Sequence, residues 1–313
     1  MSAYVVRRLL STIVVMAVVA FVVFSLLYLT PGDPAAVIAG DIATDQDIAR
    51  IRAQLGLDDP FLVRFGRWVW ALMHGNLGTS IFTNLPVAQL IGQRVEPTLS
   101  LAVCTLVVAI VVAVPLGVIA AAKAGTWIDR AVMALSVLGF SVPVFVIAYG
   151  LILTLSIKLD VLPVQGYRNL SEGFWPWLRH LILPSIALGT VYIALIARIT
   201  RASMLDVLAQ DYIRTAEAKG LAPDRVLIGH ALKNAAIPVV TTIGVGVALL
   251  ISGAIVTETV FALPGIGRLT VDAILRRDYP VIQGVILIFS AVYVLVNLAV
   301  DLSYVLFDPR VRL

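Results

Sequence analysis

Residues Thr98–Ala122, TLSLAVCTLVVAIVVAVPLGVIAAA, carry no charge over 25 positions. An α-helix needs roughly 20 apolar residues to cross a hydrocarbon core of about 30 Å, so this run is read as a membrane-spanning helix. Five more uncharged runs share its character: Leu9–Thr30, Ala131–Ile157, Leu181–Ala197, Ala235–Thr257 and Pro280–Val300. The fourth in chain order, Leu181–Ala197, is the shortest, and Phe174, Trp175 and Trp177 ahead of it resemble an interfacial aromatic belt. The expected fold is therefore all-α, a polytopic membrane protein with six transmembrane helices. Composition agrees: 60% of the 313 residues are hydrophobic and 13% charged, with a mean hydropathy of +0.99, whereas a soluble domain is about a quarter charged.

Arg7 and Arg8 ahead of the first run imitate a secretory leader. The run is longer than a leader's apolar core, and Leu-Thr-Pro-Gly-Asp-Pro (29–34) follows it in place of a small-residue cleavage site, so it is expected to remain as an anchor. Cations near the runs set the orientation. Arg7, Arg8, Lys123, Arg130, Arg310 and Arg312 fall on one side of a six-span chain, joined by Arg198, Arg201, Arg214, Lys219, Arg225 and Lys233. The positive-inside rule makes that side cytoplasmic, with both termini there. Arg268, Arg276 and Arg277 are exceptions on the outer side.

Three regions follow: 1–30, the amino terminus and first span; 31–97, an external helical region; and 98–313, a five-span core with a cytoplasmic loop at 198–234. In the external region, helical spacing predicts helices over Asp45–Leu57 and Phe61–Met73, broken at Asp58-Asp59-Pro60. A turn at Gly75–Gly78 and a helix at Pro86–Ile91 come next.

The net charge of +4 is spread over membrane-flanking loops and no nucleic-acid motif accompanies it, so no nucleic-acid partner is expected. Cys104 is the chain's single cysteine, which excludes an internal disulfide. His74, His180 and His230 lack metal-ligand spacing, so no metal site is expected. No phosphate loop of the G-x-x-x-x-G-K-[ST] type is present, so this chain is not expected to bind or hydrolyse ATP. Lys158, Glu258 and Asp301 lie at or near run ends; no run holds a central charge of the kind that marks proton routes, which argues against a proton-coupled secondary transporter. A membrane-embedded enzyme would need converging acid, base or nucleophile groups, and none is legible.

The cytoplasmic segment 211–238, DYIRTAEAKGLAPDRVLIGHALKNAAIP, is polar and helix-forming between two apolar runs. Asp211, Arg214 and Glu217 alternate in sign at spacings of three, giving a solvated stripe. Ile213, Ala216 and Gly220 form a smooth strip that another surface could approach. Gly220 suits a left-handed helix end, and Pro223 with Asp224 the start of a second short helix, Pro223–Asn234. Elsewhere, Ser141 and Pro143 are candidates to line a path, with Pro143 bending the third span. Gly244, Gly246, Ser252 and Gly253 offer the fifth span a small-residue face suited to a subunit contact.

Ala216-Glu217-Ala218-Lys219-Gly220-Leu221, followed by His230–Asn234 and Pro238, resembles the coupling motif of bacterial ABC importer permeases of the peptide and nickel permease family. Tyr4-Arg7-Arg8-Leu9, Pro31–Pro34, Leu55–Pro60 with Gly75–Ser80, Pro97–Leu101, Ser141–Phe145, Glu258–Gly267 and Asp308-Pro309-Arg310 resemble further family signatures in order. The closest likeness is to the B-type subunit of oligopeptide and dipeptide systems. In the wider family the coupling motif begins Glu-Ala-Ala; Arg214 stands at its first position here, so no role is carried over for a glutamate there.

The resemblance implies a type I importer permease in the bacterial cytoplasmic membrane, paired with a second permease subunit. It also implies two ATPase subunits that use ATP and magnesium, and an external solute-binding protein. Asp211, Tyr212, Arg214, Thr215, Ala216, Glu217, Ala218, Lys219, Gly220 and Leu221 would then dock on an ATPase. Di- and oligopeptides are the expected cargo; nickel, glutathione and other small solutes are alternatives within the same family.

Overall fold

The computed structural model describes residues 2–29, 33–40 and 43–307. The expectations on Pro31, Gly32 and Asp308-Pro309-Arg310, and on Arg310 and Arg312 as topology signals, lie outside the described residues. In chain order the helices are α1 Ser2–Leu29, α2 Pro34–Ala39, α3 Asp45–Leu55, α4 Phe61–Met73, α5 Val87–Gly92, α6 Val95–Ala122, α7 Trp127–Ser141 and α8 Val144–Leu151. They continue as α9 Phe174–Leu208, α10 Asp211–Ala218, α11 Lys233–Val260, α12 Ile266–Arg276 and α13 Tyr279–Phe307. Among the described residues no strand forms, only an isolated bridge between Thr79 and Pro86.

Among the described residues five helical stretches are long and apolar enough to cross a membrane, and α7 with α8 makes a sixth if the pair is one span. That pair bends by 103°, so the third apolar run is broken where a kink was expected. Val142 is extended ahead of Pro143, as the residue before a proline prefers, and Pro143 then starts α8. α8 runs on into a π-helical turn, Ile152–Lys158.

Contacts divide the chain into two compact units. The first comprises residues up to Val95 together with Arg268–Leu298. Asp33 caps α2 by accepting the Ala35 N–H and also pairs with Arg52 at 2.6 Å. Thr44 and Asp47 close a capping box on α3. Leu27, Ala35, Ile38 and Ile51 bury a small core against Ile81 and Tyr279. The rings of Phe24, Phe61, Phe65 and Trp68 pack at centroid distances of 5.1 to 6.4 Å. α4 occupies the predicted residues, and α3 stops at Leu55 because Gly56 turns left-handed.

The second unit comprises Glu96–Gly267 with the described residues after Leu298, and α9 is its hub. The shortest apolar run thus belongs to a 35-residue helix, about 52 Å long at 1.5 Å per residue. Polar ends carry it past the hydrocarbon length. Of its apolar window 61% is buried, against 17–28% in the other membrane-length stretches. Glycines let neighbours approach it: a Cβ on Gly117 of α6 would fall 2.5 Å from Thr200 Cβ, and one on Gly253 of α11 would fall 2.7 Å from Leu188. Gly246 likewise faces Tyr192. Gly246 and Gly253 therefore serve packing within the chain, where a subunit contact was expected. Small-to-small crossings of this kind suit a bilayer, where dispersion and close packing replace the hydrophobic drive. The expected aromatic belt divides: Phe174 and Trp175 are exposed, whereas Trp177 packs on the core and donates its indole N–H to Ser100.

Candidate functional site

α10 starts at an extended Gln210 that accepts the Ile213 N–H in the first turn. Asp211 sits in that turn, where the helix dipole favours an acid. The end is a Schellman closure. The Gly220 N–H donates to Glu217 O at 2.8 Å, the Leu221 N–H to Ala216 O at 3.3 Å, and Gly220 takes φ +79°. A residue with a Cβ is strained at that φ; glycine is not.

Ile213 and Ala216 are buried. The surface that meets their strip is the chain's own: Ala121 at the end of α6, Met204 of α9, and Val226, Ala231 and Ala235 of the next helix. Leu221 packs beside them. Burying an Ile side chain stabilises by about 1.5–3 kcal/mol, so α10 is fastened to the ends of three long helices. Asp211, Tyr212, Arg214, Thr215, Glu217, Ala218 and Lys219 remain exposed, with Gly220 at the tip. Arg214 lies 3.8 Å from Asp211 and both are largely solvated, so this pair contributes little.

The helix after Gly220 begins at Pro223 as expected, but it does not end at Asn234. A π-helical segment, Arg225–Leu232, leads directly into α11. No glycine or proline stands between His230 and Ile237 to break it, so the expected pair of short helices is one short helix joined to a continuous rod. Asn234 Nδ2 donates to the Tyr212 hydroxyl at 3.0 Å and to His230 O at 2.7 Å, tying α10 to that rod. Close by in sequence, Arg201 of α9 holds the buried Asp129 of α7 by two hydrogen bonds of 2.5 and 2.7 Å, and the Gly125 N–H adds a third. The planar guanidinium fork matches both carboxylate oxygens and fixes α7 to α9.

Ser141 and Pro143 are exposed and lie apart from this cluster in the hydrogen-bond and packing pattern. Ser141 donates to Val137 O within its own helix and lines a shallow cavity of about 160 Å³ with Ser136, Phe140 and Arg198. Pro143 only opens α8.

Glu258 carries a role that its position near a run end concealed. It is fully buried. The Thr98 hydroxyl donates to its Oε1 at 2.6 Å, and the same hydroxyl oxygen accepts the Ile266 N–H at 2.8 Å. A Cβ on Gly265 would stand 2.2 Å from the carboxylate, and one on Gly267 2.9 Å. The chain thus folds back over the acid and joins α6, α11 and the start of α12 through it. The legible signal is the pair of glycines in Pro264-Gly265-Ile266-Gly267 shortly after an acid that ends an apolar run.

Among the described residues no group of three His, Cys, Asp or Glu side chains is placed to hold a metal ion.

In the second unit membrane-length helices pack on a buried hub, with one short polar helix fastened to their ends, an arrangement that suits an integral membrane protein. Residues 113–313 match the family described as binding-protein-dependent transport system inner membrane component, and residues 1–102 match the amino-terminal region of such membrane components. The chain belongs to this family, the permeases of ABC importers, which are transport subunits and not enzymes. It is 54% identical over 312 residues to a probable peptide ABC transporter permease, y4tP, of Sinorhizobium fredii, covering 100% of each chain. It is 45% identical to a putative peptide transport system permease of Brucella abortus, over 100% of this chain and 99% of the relative. It is 40% identical to the dipeptide transport system permease DppB of Escherichia coli, with the same coverage.

Proposed function

We propose that this chain is the permease subunit through which di- and oligopeptides cross the bacterial cytoplasmic membrane, driven by ATP hydrolysed in partner chains. The observation that carries the coupling part is the two-sidedness of α10: Ile213 and Ala216 bury into the chain while Asp211, Tyr212, Arg214, Thr215, Glu217, Ala218 and Lys219 are exposed. The outward face docks in a groove of an ATPase subunit. The inward face passes displacement to α6, α9 and α11, because a packed core shifts as a body and does not deform continuously.

On this reading α10 and both termini are cytoplasmic. The working assembly contains a second permease subunit, two ATPases with their ATP and magnesium, and an external solute-binding protein. This chain holds no cofactor of its own. Ser141 and Pro143, at the break between α7 and α8, lie on the path. Peptide cargo is supported by the names of the relatives, at 54% and 40% identity over the full chain.

The test is reconstitution of the purified assembly in liposomes with its binding protein, measuring ATP hydrolysis and uptake with dipeptides, longer peptides, nickel complexes and glutathione. Peptide-dependent stimulation of both is expected. Stimulation by a metal complex or glutathione and not by peptides would move the chain to another cargo within its family.

A further inference from the structure

In the first compact unit α4 packs on α1 within the length that α1 gives to the membrane. The rings of Phe61 and Phe65 lie 5.4 to 6.0 Å from those of Phe21 and Phe24, and the Trp68 ring lies 5.1 Å from that of Phe24. The apolar window of α1 runs from Leu10 to Leu27 and is only 17% buried. At 1.5 Å per residue, Phe24 is about 4.5 Å and Phe21 about 9 Å inside its carboxyl end. A helix whose rings touch both is held at the edge of the hydrocarbon.

Three sides of α4 differ in character. At 3.6 residues per turn, Phe61, Phe65 and Trp68 share the side that meets α1. Leu62, Gly66, Trp70 and Met73 fall on one flank of that side, and Arg64 and Arg67 on the other. The first flank is bare: Leu62 is 74% exposed, Trp70 63% and Met73 68%, and Gly66 is exposed with them. On the second, Arg64 is buried with its guanidinium carbon 5.9 Å from the Phe24 ring centroid, and Arg67 pairs with Asp59 at 2.5 Å. α1 itself leaves Val18, Phe21 and Val22 about half exposed, and Phe21 is one of the residues that α4 touches.

We infer that α4 is an interfacial helix whose flank of Leu62, Gly66, Trp70 and Met73 lies in the acyl chains of the leaflet at the carboxyl end of α1. Depth selects lipid as the occupant, because about 4.5–9 Å matches the roughly 5–10 Å to which amphipathic helices sink at the boundary of headgroups and acyl chains. The order of the sides selects it too. With its ring side on α1, the helix has an apolar flank left for acyl chains and a charged one for water. Tryptophan favours that boundary, and Trp70 stands within the bare flank. The region expected to be external, 31–97, thus returns to the membrane at α4.

Spin labelling of the whole transporter in liposomes tests this. In a Cys104→Ser background, which removes the chain's single cysteine, Leu62→Cys, Gly66→Cys and Met73→Cys each carry a nitroxide. Collision with oxygen, which concentrates among acyl chains, is compared with collision with a water-soluble nickel chelate. Val18→Cys on α1 is the lipid reference and Gln46→Cys on the polar α3 the water reference, both at exposed positions. The logarithm of the oxygen-to-nickel collision ratio should shift at all three α4 positions to the value found at Val18, away from that at Gln46. Each position is read separately, so a variant that fails to assemble leaves the others to decide. A ratio like that of Gln46 overturns the inference, since water then meets the flank. Low collision with both reagents overturns it as well, since a protein then covers the flank.

Discussion

Replacing Gly220 by valine isolates the turn on which the proposed coupling depends. Gly220 sits at φ +79°, and a Cβ built there meets nothing within 4 Å, so the whole cost of a side chain is backbone strain. The left-handed region costs an L-residue about 1–2 kcal/mol, and β-branching adds to that. Strain of this size shifts a local equilibrium by a factor of about 5–30, enough to open the two hydrogen bonds that close the turn from Glu217 and Ala216. Leu221 then leaves the cluster around Met204 and Ile213, and α10 loses its fixed angle to α11. In liposomes containing the full assembly, Gly220→Val is expected to abolish substrate stimulation of ATP hydrolysis while the amount inserted in the membrane stays normal. Gly220→Ala should fall between, and Gly220→Asn should retain most coupling, because asparagine tolerates this conformation. Full peptide uptake by an inserted Gly220→Val permease would refute the reasoning.

Other perturbations test separate joints. Ile213→Ala removes a side chain that is 1% exposed; loss of about 2–5 kcal/mol of local packing should reduce uptake per ATP hydrolysed, read in the same liposomes. Gly265→Ala places a methyl 2.2 Å from the Glu258 carboxylate; overpacking of about 1–3 kcal/mol should lower the melting temperature of the detergent-solubilised chain, and Glu258→Ala in the same chain should restore part of it. Gly117→Val drives a side chain into Thr200 and the Ala197 carbonyl and should destabilise by a similar amount, measured by thermal unfolding. Arg201→Gln strands the buried Asp129 carboxylate; its destabilisation should shrink when Asp129→Asn is combined with it, a coupling that a double-mutant cycle measures.

The helices were legible where periodicity and a local breaker coincide. α4 has a proline before Phe61 and His74-Gly75 after Met73, and both ends fall where the pattern puts them. Gly220 was legible for the same reason, since a helix end followed by Leu-Ala-Pro leaves few other geometries. What the sequence concealed depends on which side of a helix meets which neighbour. The strip Ile213, Ala216, Gly220 has the same spacing whether it faces a partner or the chain's own α9. The glycines of α11 were equally ambiguous until Leu188 and Tyr192 were found against them. Glu258 was read as a terminal charge because hydropathy measures position along a run and not enclosure. Leu181–Ala197 marked only the hydrocarbon part of α9, because a helix continues through polar residues once packing supports it. Pro143 announced a bend and favours the extended form that Val142 takes before it, but hydropathy along the run does not give the size of the bend, 103°.

The most direct test of coupling uses the fact that Cys104 is the chain's single cysteine. In a Cys104→Ser background, cysteines placed one at a time at Thr215, Ala218 and Lys219 on the outward face of α10, and at Ser141 as a comparison, are crosslinked within the full assembly with and without ATP. The α10 positions should link to an ATPase subunit with a yield that changes on ATP binding, and Ser141 should not link to it. Absence of any ATPase adduct from all three α10 positions, in assemblies that still hydrolyse ATP and take up substrate, would contradict the account.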